Sequence, residues 1–372
     1  MVATRPSDIR QLLQSSIAFS EQFEQARKNR PFDMPWYAYD SLGNLDHFDR
    51  LLSGRNRNLH SLAGGKPVLD IGCADGQLAF FLESQGMKMA VADNPGTNAN
   101  TMLGVRELKS RLNSAVEIHE VDLDQGFTVP PPGKFGLTLL LGVLYHLQNP
   151  MYVLKQLSHH TRYCLLSTRI ARFTPDGAQA IKDYPLAWLA GPDEVNSDCT
   201  NFWIFSETGL RRAIDRCGWR VAEFMTVGDT EKSDPVHGDR DERAFCLLES
   251  KRVLDYLDLL DGWFNVESAG WRWTAPEFGV RLNRASAFKL NLYIPEQTID
   301  AFGSVTITCH SAGQQLASRT WKQSRIDSWS IPLPESAWHE GLDIYFRVDS
   351  PVPISNSDPR ALGIIVSSAE LL

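Results

Sequence analysis

Nine residues constrain this chain more than any others: Val68-Leu69-Asp70-Ile71-Gly72-Cys73-Ala74-Asp75-Gly76. An apolar run carries an acid and breaks at once into a glycine turn, after which Gly76 to Gly86 reads as a helix. Strand, turn and helix in succession call for an α/β fold, because the helix must return over a parallel sheet. Two phosphate-binding loops share this outline, and both fail. A P-loop needs lysine after its last glycine, where Gln77 stands. The dinucleotide fingerprint needs a third glycine, but Gly72-x-Ala74-x-Gly76 runs into Gln77, Leu78 and Ala79. A carboxylate at Asp70 would repel a pyrophosphate and attract an ammonium group. The turn therefore suits a ligand that is cationic at this end.

The chain around this turn continues the alternation. PVLDI, MKMAVADN, AVEIHEVDL, GLTLLLGVLYHL and YCLLSTRI read as strands, with helices over 76–86, 102–112 and 151–160 between them. SETGLRRAIDRCG reads as a helix with a serine N-cap and a glycine stop. WRVAEFMTV and RAFCLLES follow, joined only by a loop, and so predict an antiparallel hairpin at the sheet edge. Upstream, apolar positions from Asp8 to Lys28 recur at helical spacing, and LDHFDRLL predicts a short helix stopped by Gly54. Downstream, VLDYLDLLDG predicts a helix leading into a tryptophan-rich linker. Short alternating strands then run to the end, the pattern of an antiparallel sandwich. The expected division is a helical and aromatic cap (1–60), an α/β domain (61–255), a linker (256–278) and an all-β sandwich (279–372).

A length of 372 residues fits more than one core. With 37 basic and 45 acidic side chains the net charge is 37 − 45 = −8, which gives no global attraction to nucleic acid or an anionic membrane. The six cysteines are scattered without a C-x-x-C pair, as suits a reducing compartment, and they offer no metal framework. Neither a signal core nor a membrane-spanning run is found, so the expectation is a soluble, cytoplasmic protein with no membrane partner, no metal and an open oligomeric state.

S-adenosylmethionine is a phosphate-free ligand with a cationic end, and further residues fit its shape. Asp93, with Asn94 beside it, ends the second strand, where a carboxylate can accept both ribose hydroxyls. Asp122 ends the third and could accept from the adenine amino group, with the backbone of Leu123 adjacent. Gly142, after LTLLL, would let the chain pass close to the methionine part. With Asp70, Gly72, Cys73 and Gly76 these form the candidate cofactor set. On these residues the segment 66–250 resembles a class I S-adenosylmethionine-dependent methyltransferase, in which Ala74 replaces the usual middle glycine. The resemblance implies a doubly wound, Rossmann-like, seven-stranded sheet. PFDMPWYAYD, GVLYHLQNP and NFWIFSETGLRRAIDRCGW are similar to the group that includes bacterial tRNA wobble-uridine carboxymethyltransferases. There an asparagine-aromatic-proline turn lines the acceptor pocket; here Asn201-Phe202-Trp203-Ile204-Phe205 has Phe205 where proline is usual.

Methyl transfer is an in-line displacement, so the protein must position the nucleophile and accept its proton. His146, directly after the fourth strand, is the candidate base, or else packs on the cofactor's edge. Tyr145 could turn its hydroxyl or ring face to the sulfonium, or belong to the core. The aromatics Trp36, Tyr37 and Tyr39 would cover the cofactor or bury the N-terminal helix; Trp36 and Tyr39 join the cofactor set. The adjacent His159 and His160 point to different helix faces and do not make a metal site. The insertion 171–200 is long and polar, as lids are, and suggests Arg169, Glu194, Asn196, Asp198, Asn201 and Trp203 as acceptor contacts. The sandwich resembles accessory domains of glycan-modifying enzymes, and Trp321, Trp329 or Trp338 would stack on sugars or fill its core. Three readings remain open: a methyltransferase acting on a small-molecule or saccharide hydroxyl, a tRNA uridine (carboxy)methyltransferase with Arg169 as the candidate cation near the methyl site, and a non-catalytic glycan-binding protein.

Overall fold

Helix α1 (Ile9–Arg27) opens the described chain because Asp8 and Gln11 form a reciprocal capping box, and it buries Ile9, Leu12, Phe19 and Phe23 along one stripe. The computed structural model describes residues 8–126, 135–195, 197–267, 270–282, 285–339, 341–354 and 358–372. Two short helices follow, α2 (Asn44–Leu51) and α3 (Leu59–Ala63), the second closed by left-handed Gly64. Then come β1 (Val68–Ile71), α4 (Gln77–Ser84), β2 (Met89–Asp93), α5 (Leu103–Arg111), β3 (Glu117–Glu120), β4 (Phe135–Leu141), α6 (Pro150–His160) and β5 (Thr161–Ala171). A small hairpin, β6 (Ala187–Leu189) and β7 (Trp203–Ser206), precedes α7 (Glu207–Arg216), β8 (Trp219–Gly228) and β9 (Glu242–Ser250). The chain divides into two compact units between Ser250 and Lys251.

In the first unit β1 to β5 are parallel in the order β3-β2-β1-β4-β5. β9 runs antiparallel along β5, and β8 pairs antiparallel with β9 at the edge, as the loop-only connection predicts. β1 and all but the last residue of β4 are buried, since helices cover both faces of the sheet. The N-terminal helices are part of this unit: Leu12, Phe23, Leu45 and Phe48 share a core with Val68, Val91 and Leu137. They are a layer of the α/β domain and not a separate cap over 1–60. The other face packs Leu69, Leu140 and Leu166 against α6 and α7 through Leu154, Leu210 and Ile214.

Ile170 of β5 meets Glu242 of β9 on one edge and Phe205 of β7 on the other. A strand has two edges, and β4 uses the second one only as far as Ser167. The β6–β7 hairpin therefore continues the sheet beyond the carboxyl end of β4.

The second unit is a sandwich of two five-stranded antiparallel sheets. Its strands are β10 (Asp258–Leu259), β11 (Trp263–Val266), β12 (Arg272–Thr274), β13 (Glu277–Leu282), β14 (Ala287–Ile294), β15 (Val305–Ser311), β16 (Gln314–Trp321), β17 (Arg325–Pro332), β18 (Leu342–Val348) and β19 (Ile365–Leu371). They pair as β10-β13-β18-β15-β16 and β11-β12-β19-β14-β17. Two expectations are corrected here. VLDYLDLLDG is not a helix: it forms a single 3-10 turn at Val253–Asp255 and then β10, because pairing with β13 outweighs its helical spacing. The segment 256–278 is not a linker, since β10 to β13 are strands of the sandwich. Trp263 donates to the Gly279 carbonyl at 2.6 Å and packs on Phe278. Trp321 and Trp329 are 3% and 5% exposed and meet edge-to-face in the core, so neither presents a sugar platform. The Trp338 side chain lies outside the described residues.

Candidate functional site

The glycine turn sits at the carboxyl end of β1, where open parallel sheets bind ligands. Gly72 adopts φ +71°, and a Cβ there would lie 2.4 Å from Val143 Cγ2. Ala74 takes φ +52° although it is not glycine. Its N–H donates to Asp93 Oδ2 at 2.9 Å. Asp93 also accepts from the N–H of Asn94 (2.8 Å) and from Asn98 Nδ2 (2.9 Å). Three of its roughly four acceptor positions are thus taken, which leaves room for one ribose hydroxyl more readily than for two. Asn94 otherwise shapes the turn, accepting from the Gly96 N–H at 2.9 Å.

Asp70 is 5% exposed and has no hydrogen-bond partner among the described residues. Burial, and secondarily the charge of Asp93, push its carboxyl up to about 8. An unpartnered buried acid fits a ligand ammonium, as the α-amino group of S-adenosylmethionine would supply. Cys73 is buried, and burial pushes its thiol well up, which disfavours the thiolate.

The aromatic segment is held against this turn by polar tethers. Asp75, 4% exposed, accepts from the Tyr37 N–H (2.6 Å) and from Asn100 Nδ2 (2.7 Å), and Gln77 Oε1 accepts from the N–H and hydroxyl of Ser41. A shallow depression opens between Tyr37, Tyr39, Ser41 and Cys73 to Asp75. Trp36 faces α1: its Nε1–H donates to the Arg27 carbonyl at 3.0 Å, and its ring packs on Phe32. Tyr39 is 76% exposed. Of the three aromatics it is Tyr37 that turns inward, its hydroxyl raised by burial and by nearby Tyr145, Tyr39 and Asp93. Burying the N-terminal helix is therefore the work of Trp36, and covering the turn falls to Tyr37.

Gly142 follows β4 at φ +73°, and a Cβ there would lie 3.7 Å from Tyr145 Oη and 3.8 Å from Arg243 Nη1. Arg243, from β9, donates to Tyr145 Oη at 3.3 Å and to Asp241 at 3.0 Å. A guanidinium thus stands beside the turn after β4, on a strand that begins 100 residues later in the sequence. His146 ends the 3-10 turn Leu144–His146 and stacks obliquely on Tyr145 with centroids 4.2 Å apart. Burial holds its imidazole below the usual histidine value, which favours the neutral form. Its Nδ1 contacts Thr200.

The remaining expected residues each hold local structure. Asp122 accepts from the Asp124 N–H (3.0 Å) and Gln125 Nε2 (2.8 Å), closing its own turn, and Leu123 is buried. Arg169 is corrected as an acceptor contact: it is 2% exposed and donates to the carbonyls of Asp234 and His237, locking the β8–β9 connection. Glu194 braces the insertion by accepting from Trp188 Nε1 and the Gly191 N–H. Asn201, 4% exposed, donates to the Val195 and Asp198 carbonyls, and Trp203 donates to the Gln148 carbonyl. Asp198 accepts from Thr200. Asn196 lies outside the described residues. Sequence reasoning missed Asp75, Asn98, Asn100, Thr200 and Arg243. Asp75 stood inside the opening motif, but nothing local marked its partners.

Among the described residues no cluster of histidine, cysteine or acid side chains could hold a metal, and no helix is long and apolar enough to cross a membrane. Residues 45–223 match the family model described as a methyltransferase domain. A curated relative from Campylobacter hominis, named tRNA U34 carboxymethyltransferase, is 36% identical over 94 residues, 25% of this chain and 31% of its own length. One of the same name from Shewanella amazonensis is 24% identical over 206 residues, 54% of this chain and 56% of its own. The chain thus spans about a third to just over half of these two relatives. A solved structure, the N-terminal domain of EvdMO1 with SAH bound, aligns with 62% of this chain and 96% of its own at 15% identity and a TM-score of 0.41. With the glycine turn and the acid-ended strands, the matched span supports an S-adenosylmethionine-dependent methyltransferase domain over residues 45–223.

Proposed function

We propose that the protein methylates a hydroxyl group of a small-molecule acceptor at the carboxyl end of β4. The observation that carries this reading is His146, which ends the 3-10 turn after β4, packs on Tyr145 and is held at Nδ1 by Thr200. Bound S-adenosylmethionine supplies an electrophilic methyl on a sulfonium. Asp70 is suited to the ammonium, Asp93 to the ribose, and Asp122 with Leu123 to the adenine end. Tyr37 would exclude water above the turn, and Tyr145 would orient the acceptor beside His146, which takes the hydroxyl proton. Calorimetry tests the foundation: Asp93→Ala is expected to weaken S-adenosylmethionine binding about 10- to 100-fold, as loss of a charged acceptor should. Unchanged binding would sink the cofactor assignment at this residue. A saccharide acceptor is still compatible with this reading, but the buried Trp321 and Trp329 give it no support from the sandwich.

A second reading has its own support. Transfer of a carboxymethyl group requires a cation near the transferred carbon, and Arg243 offers one where Arg169 does not. The relatives' names point to tRNA, while the net charge of −8 opposes it. Binding of tRNA that falls steeply across a salt series would favour this reading, and no binding at low salt would exclude it.

A further inference from the structure

Thr200 has no role in the assignments above, yet it stands between two titratable side chains. His146 Nδ1 lies 3.2 Å from the Thr200 carbonyl oxygen and 2.9 Å from its hydroxyl oxygen. That hydroxyl lies 2.6 Å from Asp198 Oδ1, which also accepts the Thr200 N–H at 2.9 Å. Protons can be counted along this line. Burial opposes the charge on Asp198, but the two hydrogen bonds from Thr200 and nearby His146 hold its carboxyl below the usual range. It is therefore ionised and can only accept, so the one hydroxyl proton of Thr200 points to it. The carbonyl oxygen also only accepts. Nδ1 must then carry the imidazole proton and donate toward Thr200. The lone pair is left on Nε2, for which the described residues provide no hydrogen-bond partner.

We propose that Thr200 and Asp198 are positioning residues that hold His146 in its Nδ1–H form, leaving Nε2 free to accept the proton of the acceptor hydroxyl. This rests on the hydroxyl-methylation reading. As the acceptor oxygen bonds to the methyl carbon, the carbon–sulfur bond breaks with its electron pair going to sulfur, and the hydroxyl proton passes to Nε2. The positive charge that results on the imidazole is balanced through Thr200 Oγ1 by the Asp198 carboxylate. The groups facing His146 are Thr200 and Asp198 from the insertion, Arg243 from β9 and its neighbour Tyr145. Arg243 opposes protonation, and Asp198 favours it. Asp198 thus acts through His146 and is not an acceptor contact.

Nitrogen NMR of the full chain labelled at histidine, without cofactor, tests this directly. The His146 signals are identified by their loss in His146→Gln. The expected result is a protonated Nδ1 and an unprotonated Nε2 at pH 7.5. Thr200→Val and Asp198→Asn should each lower the His146 titration midpoint by about half a unit or more, and Thr200→Ser should restore the wild-type value. A protonated Nε2 in the wild type, or an unmoved midpoint in folded Thr200→Val, would overturn the proposal. Should Asp198→Asn fail to fold, the Val and Ser variants at 200 carry the comparison alone. The two readings fail separately: the tautomer is read without cofactor, whereas the methyltransferase reading falls if calorimetry shows no S-adenosylmethionine binding.

Discussion

Asp70 carries the largest single conflict in the site, because a buried acid without a partner is held near 8 against an ordinary value of 3.8. A raised folded value means that stability is full below pH 4 and is lost as pH rises toward 8. Asp70→Asn should therefore stabilise the cofactor-free protein by about 2–5 kcal/mol at pH 8 and by almost nothing at pH 4, as read by denaturant titration at the two values. The same acid should ionise when it meets an ammonium. Binding of S-adenosylmethionine at pH 7 should then release a proton, visible as a dependence of calorimetric heat on buffer, and Asp70→Asn should abolish that dependence. Ala74 is the second residue in conflict, since φ +52° costs an L-residue about 1–2 kcal/mol. Glycine removes that cost but loosens the unfolded chain, so Ala74→Gly should raise stability by about 0.5–1 kcal/mol. A fall in stability would show that the methyl group packs where the geometry says it strains.

Elements were legible wherever one segment sufficed to specify them. VLDI, MAVAD and FGLTLLL are short apolar runs between turns, and all three became parallel strands. The serine N-cap of SETGLRRAIDRCG was equally plain, with Ser206 Oγ accepting from the Gly209 N–H at 3.0 Å. What depends on a distant partner was hidden. Val253 to Leu260 has helical spacing, but its pairing strand begins at Glu277. Arg243 meets Tyr145 across 98 positions, and no local pattern predicts it. The positions of Asp70 and Asp93 were readable because short strands display them; the insertion was not, because its polar residues could face a ligand or one another. Glu194 and Asn201 face their own loop. The β6–β7 hairpin sharpens this further. If it is stitched to β5 through Phe205, with the Ser206 N–H on the Leu186 carbonyl at 3.0 Å, its amides should exchange as slowly as those of β5. Exchange as fast as in an exposed loop would show that the hairpin moves independently of the sheet.

At the scale of the whole molecule, each unit has its own core, one around the mixed sheet and one between the sandwich sheets. Cofactor should therefore act on one of them. At about 100 times its dissociation constant a ligand adds about 2.7 kcal/mol, which for a unit of this size raises the melting temperature by about 5–10 °C. Scanning calorimetry should show one transition moving by that amount with S-adenosylmethionine while a second stays in place. A single transition moving as one would mean that the two units unfold together. The hairpin beyond β4 has a consequence of another kind. Its backbone is spent on the sheet, but Tyr184, Leu186 and Leu189 on the same insertion are 57%, 48% and 59% exposed. Substituting these three side chains would change that exposed surface without disturbing the strand register beneath it. The insertion can thus vary its surface while the pairing of the hairpin stays fixed.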